Sequence, residues 1–308
     1  MIDQKAAEIR RSPEQVESII YKTAQDILGG RTSRSFHDYS YLSSYGESEI
    51  LRRPFLNIGP GSFRHPMWRT ADKTYGGADD TWTSIRRGVA QPPVDYAWDI
   101  YENRPLQEED GFFKVIYISH VIEHLFPGDL AFLLAEVRRL LQRGGTLRLA
   151  CPNAGLLARS YKSADWQYFL HYLIVKTNRI KSKPSALSEQ QKREISAHFV
   201  VDWVSLLANK ENPLHFTPPQ CVQFLDGYAS LFDAFDAAGT LSSREMNARI
   251  GGHVNWFDLR KIMHLLVGAG FKNVRASAYQ QSHVPILRDQ RYFDRTDPEM
   301  SLYVEAEV

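Results

Sequence analysis

Residues 55–63 read FLNIGPGSF. Phe55, Leu56 and Ile58 make a short apolar run that stops at two glycines, Gly59 and Gly61. An apolar run without polar alternation is what a strand buried on both faces requires. The glycines supply a tight loop whose backbone can approach a ligand closely. Asp72 follows eleven residues after Gly61. A second strand ending there would aim a carboxylate at a ribose, the arrangement used for nucleosides at the carboxyl ends of parallel strands.

Strand and helix alternate from this point on. VDYAWDI (94–100) reads as a third strand with Asp95 and Asp99, and FFKVIYISH (112–120) as a fourth. Leu130, Leu133, Leu134, Val137 and Leu140 recur at helical spacing. Gly144 and Gly145 are expected to end that helix, and TLRLACP (146–152) is the fifth strand. The regular order breaks at Pro152. It returns with Asn255 as the expected cap of a helix carrying Leu259, Ile262, Met263, Leu265 and Leu266, then strands KNVRASAY (272–279) and SLYVEAEV (301–308). Alternating β and α elements predict an α/β fold, a doubly wound and mostly parallel seven-stranded sheet. The intervening residues 155–250 are mostly helical in pattern, with capping boxes expected at Ser188–Gln191 and Thr217–Gln220. They are too long for a crossover loop and are read as a helical cap inserted over the site. The expected division is an N-terminal helical segment (1–50), a Rossmann-like domain (51–154 and 251–308) and the cap (155–250). In the first segment, Ser12, Pro13 and Gln15 open a helix that Gly29 and Gly30 stop, and residues 31–50 read as a loop or short helix.

Composition narrows the function classes. The chain has 308 residues, 43% hydrophobic and 24% charged, with a net charge of +1. That balance gives no overall pull toward nucleic acid or anionic membrane. No apolar run reaches the length of a membrane span, and MIDQKAAEIRRS lacks a signal-peptide core. Cys151 and Cys221 have no metal-type spacing partners, which points to reduced thiols and a cytoplasmic setting.

LNIGPGS (56–62), MWRTAD (67–72), VDYAWDI (94–100), YISHVIEHL (117–125), LLQRGGTLRLACPN (140–153) and LLVGAGFKNV (265–274) follow one another in a familiar order. In that order they resemble the class I S-adenosylmethionine-dependent methyltransferases of the methyltransferase type 11 kind. The resemblance covers about two thirds of the chain and leaves out the cap and the first 50 residues. It implies S-adenosylmethionine (SAM) as cofactor. Asn57 belongs to the implied cofactor loop, where Gly59 and Gly61 would pass near the methionine part. Asp72 would accept from the ribose hydroxyls, Asp99 would sit beside the adenine amine, and Ser119 and His120 would face the sulfonium. The loop departs from the common pattern: Pro60 stiffens it, and Phe63 or Arg64 stands where a third glycine is usual.

Methyl transfer is an in-line displacement at an activated carbon, so the site must align the nucleophile, exclude water and take a proton from a hydroxyl nucleophile. His120 is the first candidate base and His253 the second. Tyr161, Trp166, His215 and Trp256 are candidate acceptor-binding residues in or beside the cap. The aromatic groups Trp166, Tyr168, Phe169, Tyr172 and Trp203, Trp256, Phe257 suit either an acceptor pocket or ordinary helix packing. The expected acceptor is a small molecule or a saccharide, methylated on oxygen, with no nucleic-acid or membrane partner and a second copy of the chain as a candidate partner. A non-catalytic binding module is the alternative. His120-Val-Ile-Glu123-His124 also fits a metalloprotease pattern. That chemistry needs a continuous helix, which Phe126-Pro127-Gly128 denies, so no metal is expected, and a metal-dependent hydrolase is kept as a remote alternative.

Overall fold

The computed structural model describes residues 36–73, 93–177, 179–180 and 183–308. The helix expected from Ser12 onward lies outside them. Among the described residues, seven strands form one sheet. β1 (Phe55–Ile58) lies between β2 (Arg69–Asp72) and β4 (Phe113–Ser119) and is parallel to both. β3 (Tyr96–Ala97) pairs parallel with β2, and β5 (Leu141–Pro152) parallel with β4. β6 (Lys272–Ser277) and β7 (Ser301–Glu307) complete it, with β7 antiparallel between β5 and β6. The order is 3-2-1-4-5-7-6, a doubly wound and mostly parallel sheet as expected.

Every residue of β1 is buried, because successive side chains serve opposite faces. Leu56 and Ile58 join Ile116, Ile118, Leu147 and Leu149 in one core. Phe55 turns the other way and joins Val115, Tyr117, Trp68, Tyr41 and Phe293 in a second. Helices α1 (Phe36–Tyr45) and α2 (Glu47–Leu51) occupy most of the stretch read as a loop or short helix, and Tyr41 and Ile50 carry them into that second core.

Helix α3 (Pro127–Leu140) starts with Pro127 in its first turn, where a missing N–H costs nothing. It buries Leu130, Leu133, Leu134, Val137 and Leu140 against the sheet. It ends before the expected glycines: Leu141 already pairs with Phe113 as the first residue of β5. Gly144, with φ +75°, lies within the first part of that strand.

The cap comprises α4 (Ala154–Lys162), α5 (Trp166–Leu170) with a π-helical turn His171–Lys176, α6 (Glu189–Val204), α7 (Pro218–Asp226), α8 (Leu231–Thr240) and α9 (Arg244–Ile250). Ser188 and Gln191 cap α6 reciprocally: Gln191 N donates to Ser188 Oγ at 3.2 Å and Ser188 N to Gln191 Oε1 at 2.9 Å. At α7, Thr217 N donates to Gln220 Oε1 at 2.9 Å. Phe169, Phe199, Val200, Leu207, Cys221 and Phe235 form a core separate from those of the sheet. The two ends of the insertion meet at a parallel bridge between Asn153 and Phe257, with Ala154 N donating to Phe257 O at 2.9 Å.

The helix after the cap, α10 (Leu259–Gly268), is capped by Asp258, whose Oδ1 accepts from Lys261 N at 2.7 Å. Asn255 does not cap it. Its side-chain amide donates to Leu125 O at 3.2 Å and its Oδ1 accepts from Trp256 N. Tertiary bonds fix Asn255 three residues too early to serve.

Arg148 of β5 is fully buried. Nε and Nη2 bind the two oxygens of Asp294 at 3.1 and 2.5 Å, Nη1 binds Glu305 Oε1 at 2.9 Å and Ser277 Oγ at 2.8 Å, and Nη2 donates to Ala278 O at 2.9 Å. This guanidinium ties β5, β7 and the loop that carries residues 278–297 into one unit.

Candidate active site

A cavity of about 460 Å³ opens at the carboxyl ends of β1, β2 and β4. It lies where the chain, having gone from β1 outward to β2, returns on the other side at β4, the switch point at which open parallel sheets bind ligands. Gly59 and Gly61 from the first loop line it, with Asp72 at the end of β2, Asp99 after β3 and His120 after β4. Asp72 Oδ1 accepts from Lys73 N at 2.9 Å. Asp99 Oδ1 accepts from Tyr101 N at 2.9 Å and so caps the 3-10 turn Ile100–Glu102. Trp98, Ile100, Leu125 and Phe126 add apolar wall. Helix α9 of the cap closes one side: Asn247 donates to Tyr101 Oη at 3.0 Å and to His124 O at 3.1 Å, and Arg244 pairs with the buried Asp129 at 2.6 Å.

Gly59 sits at φ +66°, and a Cβ placed on it would stand 2.3 Å from Val121 Cγ2. The residue is therefore required by its own turn and by the loop that bears His120, whatever ligand passes. Gly59→Ala is expected to cost about 2–3 kcal/mol, part αL strain and part overpacking. Gly59→Ala combined with Val121→Ala should recover only the packing share. Urea unfolding of both variants measures the two parts, and equal loss in both would refute the Val121 contact.

A second cavity of about 560 Å³ adjoins the first, sharing Gly59, Gly61, His120, His124 and Gly251 with it. Its walls are polar. Asn57 and Ser119 come from the strands, Tyr172, Arg179, Asp202 and Trp203 from the cap, and Tyr292, Arg295, Thr296 and Asp297 from the loop before β7. His120 stands at the junction in a left-handed conformation, φ +54°. His is tolerated there better than most residues, and such strain is a feature of sites where a side chain must be aimed. His120 Nε2 lies 2.8 Å from Ser301 Oγ, and its Nδ1 is 3.2 Å from Glu123 Oε1.

Glu123 and His124 belong to a single 3-10 turn, Ile122–His124, not to a continuous helix. Burial works to raise the Glu123 carboxyl, but His120, His124 and His253 around it outweigh that and bring its pKa to about 2. Burial, with His253 beside it, takes His124 down to about 4, so its imidazole is neutral at pH 7. His253 crosses His124 edge to face with centroids 4.9 Å apart, and its Nδ1 is 2.9 Å from Trp203 O.

The structure thus brings Asn57, Gly59, Gly61, Asp72, Asp99, Ser119, His120 and His253 around two joined cavities. Tyr161, Trp166, His215 and Trp256 line neither of them. Tyr161 meets Trp166 edge to face in the cap core. Trp256 stacks on Phe232 at 5.1 Å and donates to Asp236 at 2.8 Å. His215 lies in the turn between α6 and α7, its N–H on Asn212 O. Arg179, Asp202, Arg244, Asn247 and the 292–297 loop carry polar groups into the cavities, and no local motif marks them.

No protein-family model matches this chain, and no curated protein matches it. Among solved structures, a SAM dependent methyltransferase from Archaeoglobus fulgidus is 11% identical with a TM-score of 0.36, over 89% of this chain and 100% of that one. One from Mesorhizobium loti is 12% identical with a TM-score of 0.32, over 82% and 90%. A possible histamine N-methyltransferase from Thermotoga maritima is 11% identical with a TM-score of 0.35, over 89% and 99%. The strand order itself, with β7 reversed between β5 and β6, is that of a doubly wound, Rossmann-like sheet.

Proposed function

We propose that this protein transfers a methyl group from SAM to a hydroxyl of a small molecule or saccharide held in the polar cavity. The observation that carries the reading is the shared wall: a cavity with carboxylates on two adjacent strand ends and a second, more polar cavity both border His120. The first cavity is within the usual size for a small-ligand site, and its donor set suits a nucleoside. Asp72 would hold the ribose, Asp99 the adenine edge, and the Gly59–Gly61 loop the methionine part. Bound there, SAM supplies a methyl carbon already activated by its sulfonium.

The chain's own residues do the rest. The cap and the 292–297 loop exclude water and orient the acceptor. His120 takes the hydroxyl proton at Nδ1, because Nε2–H is spent on Ser301 Oγ, whose own proton goes to the carbonyls of Thr296 and Asp297. Glu123, 3.2 Å from Nδ1, balances the imidazolium that forms. His120→Ala is expected to lower kcat about 10²–10⁴-fold and to leave SAM affinity within about twofold. Release of S-adenosylhomocysteine (SAH) with a panel of hydroxylated small molecules and sugars, beside calorimetric titration of cofactor, measures both. Unchanged kcat removes His120 from the chemistry. Cofactor binding with no turnover on any acceptor favours a non-catalytic binding module.

A further inference from the structure

Glu123 is 1% exposed, and among the described residues neither of its oxygens meets a hydrogen-bond donor in bonding geometry. His120 Nδ1 is near Oε1 without being aligned to it. A buried carboxylate whose lone pairs have no aligned donor is open to a cation. Glu123, His124 and His253 each bring one ligand atom to this place, all within 4.8 Å of one another. Ligand atoms about a tetrahedral zinc lie roughly 3.3 Å apart at bond lengths of about 2.0–2.1 Å. A bound ion would draw the three ligand atoms closer together.

The surroundings prepare both imidazoles as ligands. His124 Nδ1 is 2.9 Å from Gly252 O, and His253 Nδ1 is 2.9 Å from Trp203 O. A carbonyl only accepts, so in each ring Nδ1 carries a proton, and Nε2 would be the ligand atom. A backbone carbonyl on the outer nitrogen is the usual support of a metal-bound histidine. The two chain segments are also locked together: Glu123 O accepts from Val254 N at 2.9 Å and from Asn255 N at 3.1 Å.

We propose that Glu123, His124 and His253 form a binding site for one divalent first-row transition-metal ion of the zinc class, with an open position toward the polar cavity. Two imidazoles and a carboxylate suit such an ion better than magnesium or calcium, which prefer all-oxygen sets. Three protein ligands are the number found where a coordination position is left for substrate. The set is not the H-x-x-E-H pairing of the sequence motif. His120 stays outside it on Ser301, and His253 arrives from the far side of the cap. A cation there would bind an acceptor hydroxyl and lower its pKa. That consequence rests on the methyl-transfer reading; the site itself does not.

The test is calorimetric titration of EDTA-stripped, dialysed full-length protein with zinc, and with cobalt(II), whose visible spectrum reports coordination number. One equivalent should bind with a Kd of about 1 µM or tighter and give a four- or five-coordinate cobalt spectrum. His253→Ala and Glu123→Gln should each weaken binding at least about 100-fold. Circular dichroism establishes that each variant is folded. If Glu123→Gln is not, His253→Ala decides, because its segment is held by backbone bonds. Wild-type protein that takes up no zinc at about 100 µM, or binding that the folded variants retain, overturns the proposal. The same stripped protein is titrated with SAM and SAH. Cofactor binding without zinc binding removes the metal site alone, and zinc binding without cofactor binding removes the methyl-transfer reading alone.

Discussion

Arg148→Met is expected to lower folding stability by about 3–5 kcal/mol at pH 7, the cost of leaving buried carboxylates without their cation. Asp294 and Glu305 are both nearly inaccessible, and the guanidinium answers them with directed bonds. Methionine fills the stem and answers neither. The pH dependence has a definite sign. Burial pushes the Glu305 carboxyl up, while His283, Ser282 and Arg148 together pull it below its ordinary value. A depressed carboxylate contributes stability that is present above the unfolded value of about 4.3 and lost as pH falls through the folded one. The deficit of Arg148→Met should therefore be largest at neutral pH and narrow below about pH 4. Urea midpoints at pH 7 and pH 3 measure it. A triple variant with asparagine at 294 and glutamine at 305 should regain part of the loss, since it removes the buried charges and keeps acceptors for Gln280 N and His283 N. A deficit under about 1 kcal/mol, or one that grows in acid, would contradict this account.

Asp72→Ala should weaken SAM and SAH binding about 100-fold, or about 3 kcal/mol, because charge-assisted bonds to two ribose hydroxyls are worth about 1.5–3 kcal/mol each. The strand pairing does not depend on the side chain, although Lys73 N loses its acceptor Oδ1: Asp72 pairs with Ala97 in the sheet, and Asp72 O accepts from Trp98 N at 2.8 Å. Thermal stability without ligand should stay within about 0.5 kcal/mol of wild type. Asp72→Asn, which keeps an acceptor but loses the charge, should fall between. Calorimetry on the three proteins is sufficient, and equal affinities would move the ribose away from β2.

The sheet and its strand-end residues were legible in the sequence because their signals are local. An unbroken apolar run makes a doubly covered strand, and a parallel sheet delivers whatever follows each strand to one edge. Asp72, Asp99 and His120 are in register with that rule. The cap obeys no such rule. Tyr172 and Trp203 face the polar cavity while Trp166 and Trp256 pack inward, and only the long-range docking of α5, α6 and α8 decides which. Asn255 shows the same limit at close range: it has the right chemistry to cap α10, but tertiary bonds had already taken it and Asp258 does the capping. Glu123 left a trace, an acid inside the apolar run VIEHL. Its partner His253 lies too far along the chain for spacing to connect them.

The bridge between Asn153 and Phe257 bears on how such a chain folds and varies. β5 cannot pair with β7 until a long excursion has been closed, and loop closure of that length slows folding. An insertion with its own core, whose two ends are stitched side by side, acts as a short loop once it has formed. Pairing of β5 with β7 then waits on the collapse of the cap and not on a search by a free chain. The same stitching confines changes within the insertion to the region above its stem, while the strand ends below keep their places.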